Sequence, residues 1–232
     1  MRYLIIIFSF CLLSFSDKKT IRYEQVFSDD YADAKKFLKT NFDELEIAAY
    51  KFRHNMLFSN AIVFPELMRY SVLKDILETS ALEIMYVEYG KKAADFSIGR
   101  FQMKASFIES LEEEIIKNDS LLKVYGVIIM DKNRNEREKR QIRVNRLKTN
   151  KWQITYLHTF IAICDERFKS FKPENINQKL VLYSTAYNSG FYQKPEILLE
   201  KSENRCFPYG QKFEGTQYSY SDISNYYFSY NH

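Results

Sequence analysis

A mainly α-helical single domain with little or no sheet is predicted by three observations. Glycine and proline are scarce, six and four of 232 residues, about a third of the roughly 12% that soluble proteins average. That excludes collagen, low-complexity disorder and a turn-dense all-β chain. Apolar residues recur at helical spacing along most of the sequence, which is the signature of helices with one buried face. Hydrophobic residues make up 46%, with 19 Phe and 18 Tyr, enough for one sizeable core at a length that suits one domain. The formal charge of +4 is too small for its sign to imply a nucleic-acid partner.

The first residues indicate export. Arg2 precedes a 13-residue run, Tyr3 to Phe15, that is apolar except for Ser9 and Ser14, and Ser14-x-Ser16 resembles a small-x-small cleavage site. Residues 1–16 therefore read as a secretory signal peptide. The run is shorter than the roughly 20 residues a spanning helix needs, so no transmembrane anchor is expected after cleavage. Phe10 before Cys11 is bulkier than the residue a lipoprotein signal carries there, so lipidation is not expected. Residues 17–206 then form the main domain and 207–232 an aromatic-rich C-terminal segment. Outside the cytoplasm, in the periplasm or cell envelope, the chain meets polysaccharide, peptide and lipid, and no nucleic-acid partner is expected. Cys164 and Cys206 form either one disulfide or two buried thiols. His54, His158 and His232 are far apart in sequence and no His-Glu-x-x-His or Cys-x-x-Cys occurs, so neither a metal nor a cofactor is expected.

In chain order, Leu45, Ala48, Ala49 and Phe52 predict a helix between Thr40 and Phe58. Leu82, Met85, Tyr86 and Tyr89 predict another, stopped by Gly90 with Lys91 and Lys92 near its negative end. Ser106-x-x-Glu109 reads as a capping box for a helix that carries Ile108, Leu111 and Ile115 on one face and ends near Lys117. Leu121 to Met130 suits a buried strand or a buried helix equally. From Lys132 to Lys151 nine basic residues face only Glu136 and Glu138. They form either a solvated helix face or a cationic surface for an anionic polymer. Ile154, Leu157, Ile161, Cys164 and Phe168 predict a helix buried along one stripe, with His158 off the stripe and at the surface. Ile176, Leu180, Tyr183 and Tyr187 predict a helix that ends at Asn188-Ser189-Gly190, with Tyr187 pointing coreward. Nine aromatics between Phe207 and Tyr230 either wall a sugar site or pack the C-terminal segment onto the domain.

Three separated segments carry chemistry together: Ala61-Ile-Val-Phe-Pro-Glu66, Gly99-Arg-Phe-Gln-Met103 and Ala186-Tyr-Asn-Ser-Gly190. In this order the chain resembles the soluble lytic transglycosylases of the lysozyme-like superfamily, over roughly Asn60 to Gly190. The resemblance implies a lysozyme-like fold, a peptidoglycan glycan strand as partner, a monomer, and Glu66 as general acid and base. It also implies that Gln102 and Met103 line the sugar cleft and that Tyr187 and Asn188 lie near the acid. Gly99 then permits the close turn, and Ser97 contacts the substrate.

Such an acid must hold its proton near neutral pH to protonate the departing oxygen. Ile62, Val63, Phe64 and Leu67 around Glu66 supply the low-dielectric setting that raises a carboxyl pKa. Pro65 either starts a helix, which favours the charged form of Glu66, or kinks a helix that passes through it, which fits the resemblance better. Two departures stand out. Leu67 replaces the usual Ser, and 36 positions separate Glu66 from Gln102, more than is usual, so Ser71 to Ala94 reads as an inserted helix. Asp95 becomes a possible second carboxylate. At about 6.5–9.5 Å across the cleft from Glu66 it would make an inverting, lysozyme-type hydrolase. Without it, the sugar's own 6-hydroxyl attacks and a lytic transglycosylase results. A catalytically silent wall-binding protein of the same fold is the third reading.

Overall fold

Helical periodicity is realised almost throughout the computed structural model, which describes residues 21–72 and 79–231. The signal-peptide residues lie outside the described residues. The elements are α1 (Tyr23–Val26), α2 (Ser28–Thr40), α3 (Phe42–Phe52), α4 (Met56–Val72) and α5 (Thr79–Tyr89). A hairpin of β1 (Ser97–Ile98) and β2 (Met103–Lys104) follows, then α6 (Ala105–Ile116), α7 (Asp119–Tyr125), α8 (Glu136–Leu147), α9 (Asn150–Arg167), α10 (Ile176–Ser189) and α11 (Pro195–Ser202). The chain closes with β3 (Arg205–Phe207), β4 (Tyr218–Ser219) and α12 (Tyr220–Tyr230). The fold is thus mainly α with two small antiparallel pairs.

Helix α4 is the centre. Ala61, Ile62, Val63, Phe64, Leu67 and Met68 are all buried, the pattern of a helix enclosed on every side. Helices α2, α10 and α12 pack around it. Phe64 is held between Tyr31, with ring centroids 4.9 Å apart, and Tyr227, stacked at 4.0 Å. Burying an aromatic ring of this size contributes about 1.5–3 kcal/mol. The C-terminal segment is therefore part of the core, and a boundary drawn after residue 206 falls inside β3. Phe207, Tyr220, Tyr226, Tyr227 and Phe228 pack inward, while Tyr209, Phe213 and Tyr230 are exposed.

Several local readings are corrected. The helix predicted from Thr40 to Phe58 is two helices, because Arg53 takes a left-handed conformation (φ 57°) and the Asn55 side chain accepts from the Phe58 amide at 2.8 Å. Ser106 does not cap α6. The helix starts at Ala105 after Lys104, and Glu109 instead accepts from the Tyr86 hydroxyl at 2.8 Å and pairs with Lys91 at 3.0 Å. Among the described side chains of α5, Tyr86 and Val87 are buried, with Leu82, Met85 and Tyr89 exposed. Leu121 to Met130 is neither a buried strand nor a single buried helix. It contains most of α7 and a 3-10 turn at Gly126–Ile128. Cys164 and Cys206 are free thiols, the first buried and the second half-buried.

The basic stretch is neither a bare solvated face nor a free cationic surface, because most of its charges are committed within the chain. Buried Arg143 grips Glu112 at 2.7 Å. Arg146 donates to the Ile128 carbonyl at 2.7 Å and covers the Trp152 ring. Arg140 donates to the Val87 and Glu88 carbonyls, while Arg137 and Lys148 pair with Glu88 and Glu83. These contacts tie α8 and the Lys148 that follows it to α5, α6, the Gly126–Ile128 turn and α9.

His158 is buried, not at the surface. A stripe argument assumes that the opposite face of a helix is wet, and α9 is buried from Gln153 to Cys164 with little interruption. His158 stacks on Phe52 and His54, and its Nδ1 lies 2.9 Å from Nδ1 of His54. One ring must therefore donate to the lone pair of the other. Burial lowers the pKa of both imidazoles, that of His158 to about 3. The folded state keeps the pair neutral, whereas the unfolded chain protonates near 6.5. This contribution to stability is complete above that pH and is lost as pH falls towards 3. Relative to a His158→Phe variant, wild-type stability in urea titrations is expected to drop by roughly 1 kcal/mol per pH unit below about pH 6. Parallel pH profiles for the two proteins would rule the pair out as the cause.

Candidate active site

Pro65 lies inside α4, so Glu66 is a mid-helix residue, away from the N-terminus of its own helix. A proline there forfeits one backbone hydrogen bond, at about 3 kcal/mol. The complete burial of the surrounding apolar residues offsets that cost. Glu66 is 4% exposed. Its Oε1 accepts from Arg69 Nη1 at 3.0 Å, one helical turn on, and its Oε2 is buried with no partner. Burial pushes the Glu66 pKa up, against the opposing pull of Arg69 and the Tyr220 hydroxyl. Desolvation prevails because only one carboxylate oxygen is satisfied.

The other two segments converge on this carboxyl. Glu66, Ser97, Gln102, Met103, Tyr187 and Asn188 line one cavity of about 330 Å³. In the hairpin, Ser97 pairs with Lys104 and Ile98 with Met103, and Gly99 (φ 73°) and Gln102 (φ 49°) both turn left-handed. Gln102 closes the turn by donating from its backbone and its amide to the Gly99 carbonyl, at 3.1 and 2.8 Å. Gly99 does not itself line the cavity. A Cβ there would lie 1.7 Å from Gln153 Nε2 and 2.7 Å from the Leu147 carbonyl oxygen, so only glycine fits.

Tyr187 is buried at the end of α10, as its periodicity predicts, but its hydroxyl donates to the Phe101 carbonyl at 2.7 Å, not to the acid. Burial and the nearby Glu66 raise its pKa well above the phenolic value, so it acts as a neutral donor that clamps the hairpin to α10. Tyr220 takes the place beside the acid. It donates to the Ile62 carbonyl at 3.0 Å, and burial with Glu66 beside it raises its pKa also.

Asp95 is not a cavity residue. It is exposed, lies before β1 begins at Ser97, and pairs with Lys104 at 3.4 Å. Among the described residues, Glu66 is the one carboxylate in the cavity wall. Gln153 has a role that periodicity could not show. From α9 its Oε1 accepts from the Phe101 amide at 2.7 Å and its Nε2 donates to the Leu147 carbonyl at 2.6 Å. Arg69, Lys91, Lys104, Phe107, Phe191 and Tyr192 also line the cavity. Phe107 and Tyr187 meet edge to face at 5.5 Å.

Comparisons with family models, curated proteins and solved structures give no match for this chain. Among the described residues no helix is long and apolar enough to cross a membrane, and no cluster of three or more His, Cys, Asp or Glu is arranged to hold a metal ion.

Gly99→Ala is expected to lower stability by about 2 kcal/mol or more, since it combines left-handed strain with the loss of Gln153 hydrogen bonds. Gly210→Ala is the control: its φ is 88°, but nothing lies within 4 Å of the added Cβ, so only the strain of roughly 1–2 kcal/mol remains. Equal losses in thermal denaturation would show that Gln153 does not hold the turn.

Proposed function

We propose that this protein is an exported peptidoglycan-cleaving enzyme, a lytic transglycosylase of the lysozyme-like superfamily that acts between N-acetylmuramic acid and N-acetylglucosamine in the periplasm or cell envelope. The observation that supports it most is a desolvated carboxyl, Glu66, alone in a cavity walled by the two other motif segments.

The chemistry follows from that setting. A Glu66 kept neutral by burial donates its proton to the glycosidic oxygen as the bond breaks and positive charge builds on the anomeric carbon. The resulting carboxylate, now beside Arg69, takes the proton of the muramyl 6-hydroxyl as that oxygen attacks the anomeric carbon. The ring closes as an anhydro sugar, Glu66 is again neutral, and no water is consumed. The absence of Asp95 from the cavity favours this route over a hydrolase with two carboxylates. Gln102, Ser97 and Asn188 offer polar groups to the sugar, and Phe107, Phe191 and Tyr192 offer apolar and aromatic surface. Because the acid must be protonated, kcat/KM falls as pH rises through the raised Glu66 pKa, above the ordinary carboxylate range.

One observation favours a silent wall-binding protein instead: the Arg69 contact, which draws Glu66 towards its charged form. Glu66→Gln separates the readings. Loss of wall clearing by at least about 10²-fold with binding to sacculi retained, and anhydro products from the wild type one water lighter than hydrolysed ones, is the expected outcome. Unchanged clearing by the variant would remove the enzyme reading, and hydrolysed products would replace transglycosylation with hydrolysis.

A further inference from the structure

A second cavity, of about 490 Å³, adjoins the first and shares Arg69, Ser97, Gln102 and Asn188 with it. Its far wall comes from the segment with no counterpart in the resemblance, including Phe207, Pro208 and Tyr209, and from Lys201 near the end of α11. The charged side chains lining it are Arg69 and Lys201, both positive. Thr185, 4% exposed, lines it with an Oγ1 that has no hydrogen-bond partner. Arg69 also has a buried Nε without an acceptor, and its guanidinium lies over the Phe207 ring at 5.0 Å.

The charge balance is the argument. Among the described residues Glu66 is the carboxylate with which Arg69 pairs. When Glu66 is neutral, as the chemistry above requires, a largely buried guanidinium is left without a counter-charge, an unfavourable arrangement unless an anion arrives. Arginine presents its donors as a planar fork suited to a carboxylate, and packing over the Phe207 ring keeps this one at the wall of the cavity.

We propose that the second cavity is a subsite for an anionic group of the polymer, a carboxylate of the lactyl-peptide arm. Arg69 and Thr185 bind it, with Lys201 at the mouth. This rests on the proposed function and names the part of the substrate that the C-terminal segment recognises. It also gives Arg69 a purpose: an anion that engages the guanidinium relieves its hold on Glu66 and leaves the acid free to keep its proton.

The test is calorimetric binding to the full chain carrying Glu66→Gln, which does not turn substrate over. The ligands are disaccharide-peptide fragments with free carboxylates, the same fragments with those carboxylates amidated, and inorganic phosphate alone. Free fragments are expected to bind at least ~10-fold more tightly than amidated ones, as charge-assisted hydrogen bonds imply. Adding Arg69→Gln, or Thr185→Val should the first variant fail to fold, is expected to shrink that preference to under ~3-fold, the remainder coming from the other donor. Equal affinities for the two fragments, or a preference unchanged in the folded variants, would overturn the subsite. Phosphate binding more tightly than the free fragment would overturn the carboxylate assignment. Equal affinities with wall clearing by the wild type intact would remove the subsite and leave the proposed function standing. A persistent preference with no clearing would do the reverse.

Discussion

A carboxyl group in the middle of a helix enclosed on all sides must either find partners for both its oxygens or hold a proton. Glu66 finds one partner, Arg69, at 3.0 Å, and its second oxygen is buried and unpaired. The apolar run from Ala61 to Met68 is buried around the carboxyl and withholds solvation from its charged form, which raises its pKa. Arg69 pulls the other way, because its guanidinium favours the charged form of the carboxyl. Mid-helix placement matters as well, since a carboxyl at a helix N-terminus would have been held ionised.

The acid is surrounded by parts of the chain that are remote in sequence. The hairpin reaches the cavity only because Gln153 binds its turn from α9 and Gly99 lets the backbone approach. Tyr187 fastens the same turn to α10 through the Phe101 carbonyl. The C-terminal segment covers α4 from the other side, with Tyr227 stacked on Phe64 and Tyr220 next to the carboxyl. Helix α8 contributes from a distance: its arginines bind the backbone of α5 and the carboxylates of α5 and α6, so its charge serves cohesion more than recognition.

Local signals were legible in the sequence and tertiary ones were not. Helical periodicity locates α6, α9 and α10, and Gly90 and Gly190 mark helix ends with positive φ. The three motif segments predict which side chains meet at the cavity: Glu66, Ser97, Gln102, Met103, Tyr187 and Asn188 do. Three kinds of inference fail for physical reasons. A stripe argument puts His158 at the surface, yet α9 has almost no wet face. A capping box at Ser106 and Glu109 competes with Tyr86 and Lys91 for the same carboxylate, and the tertiary contacts prevail. Asp95 has the right chemistry, but it lies before β1 begins, exposed and paired with Lys104 outside the cavity. Tyr220 and Gln153 carry no local pattern at all. Their roles exist only once helices far apart in the chain are packed together.

The protonation state of Glu66 in the free protein is the most direct test. Carbon-13 NMR of protein labelled at glutamate carboxyls, with the Glu66→Gln spectrum used to assign the resonance, follows that group through a pH titration. The account predicts a midpoint above the ordinary carboxylate value, with the carboxyl still largely neutral where solvent-exposed glutamates have already ionised. A midpoint at or below that ordinary value would mean that Arg69 outweighs burial, and Glu66 could not serve as the acid.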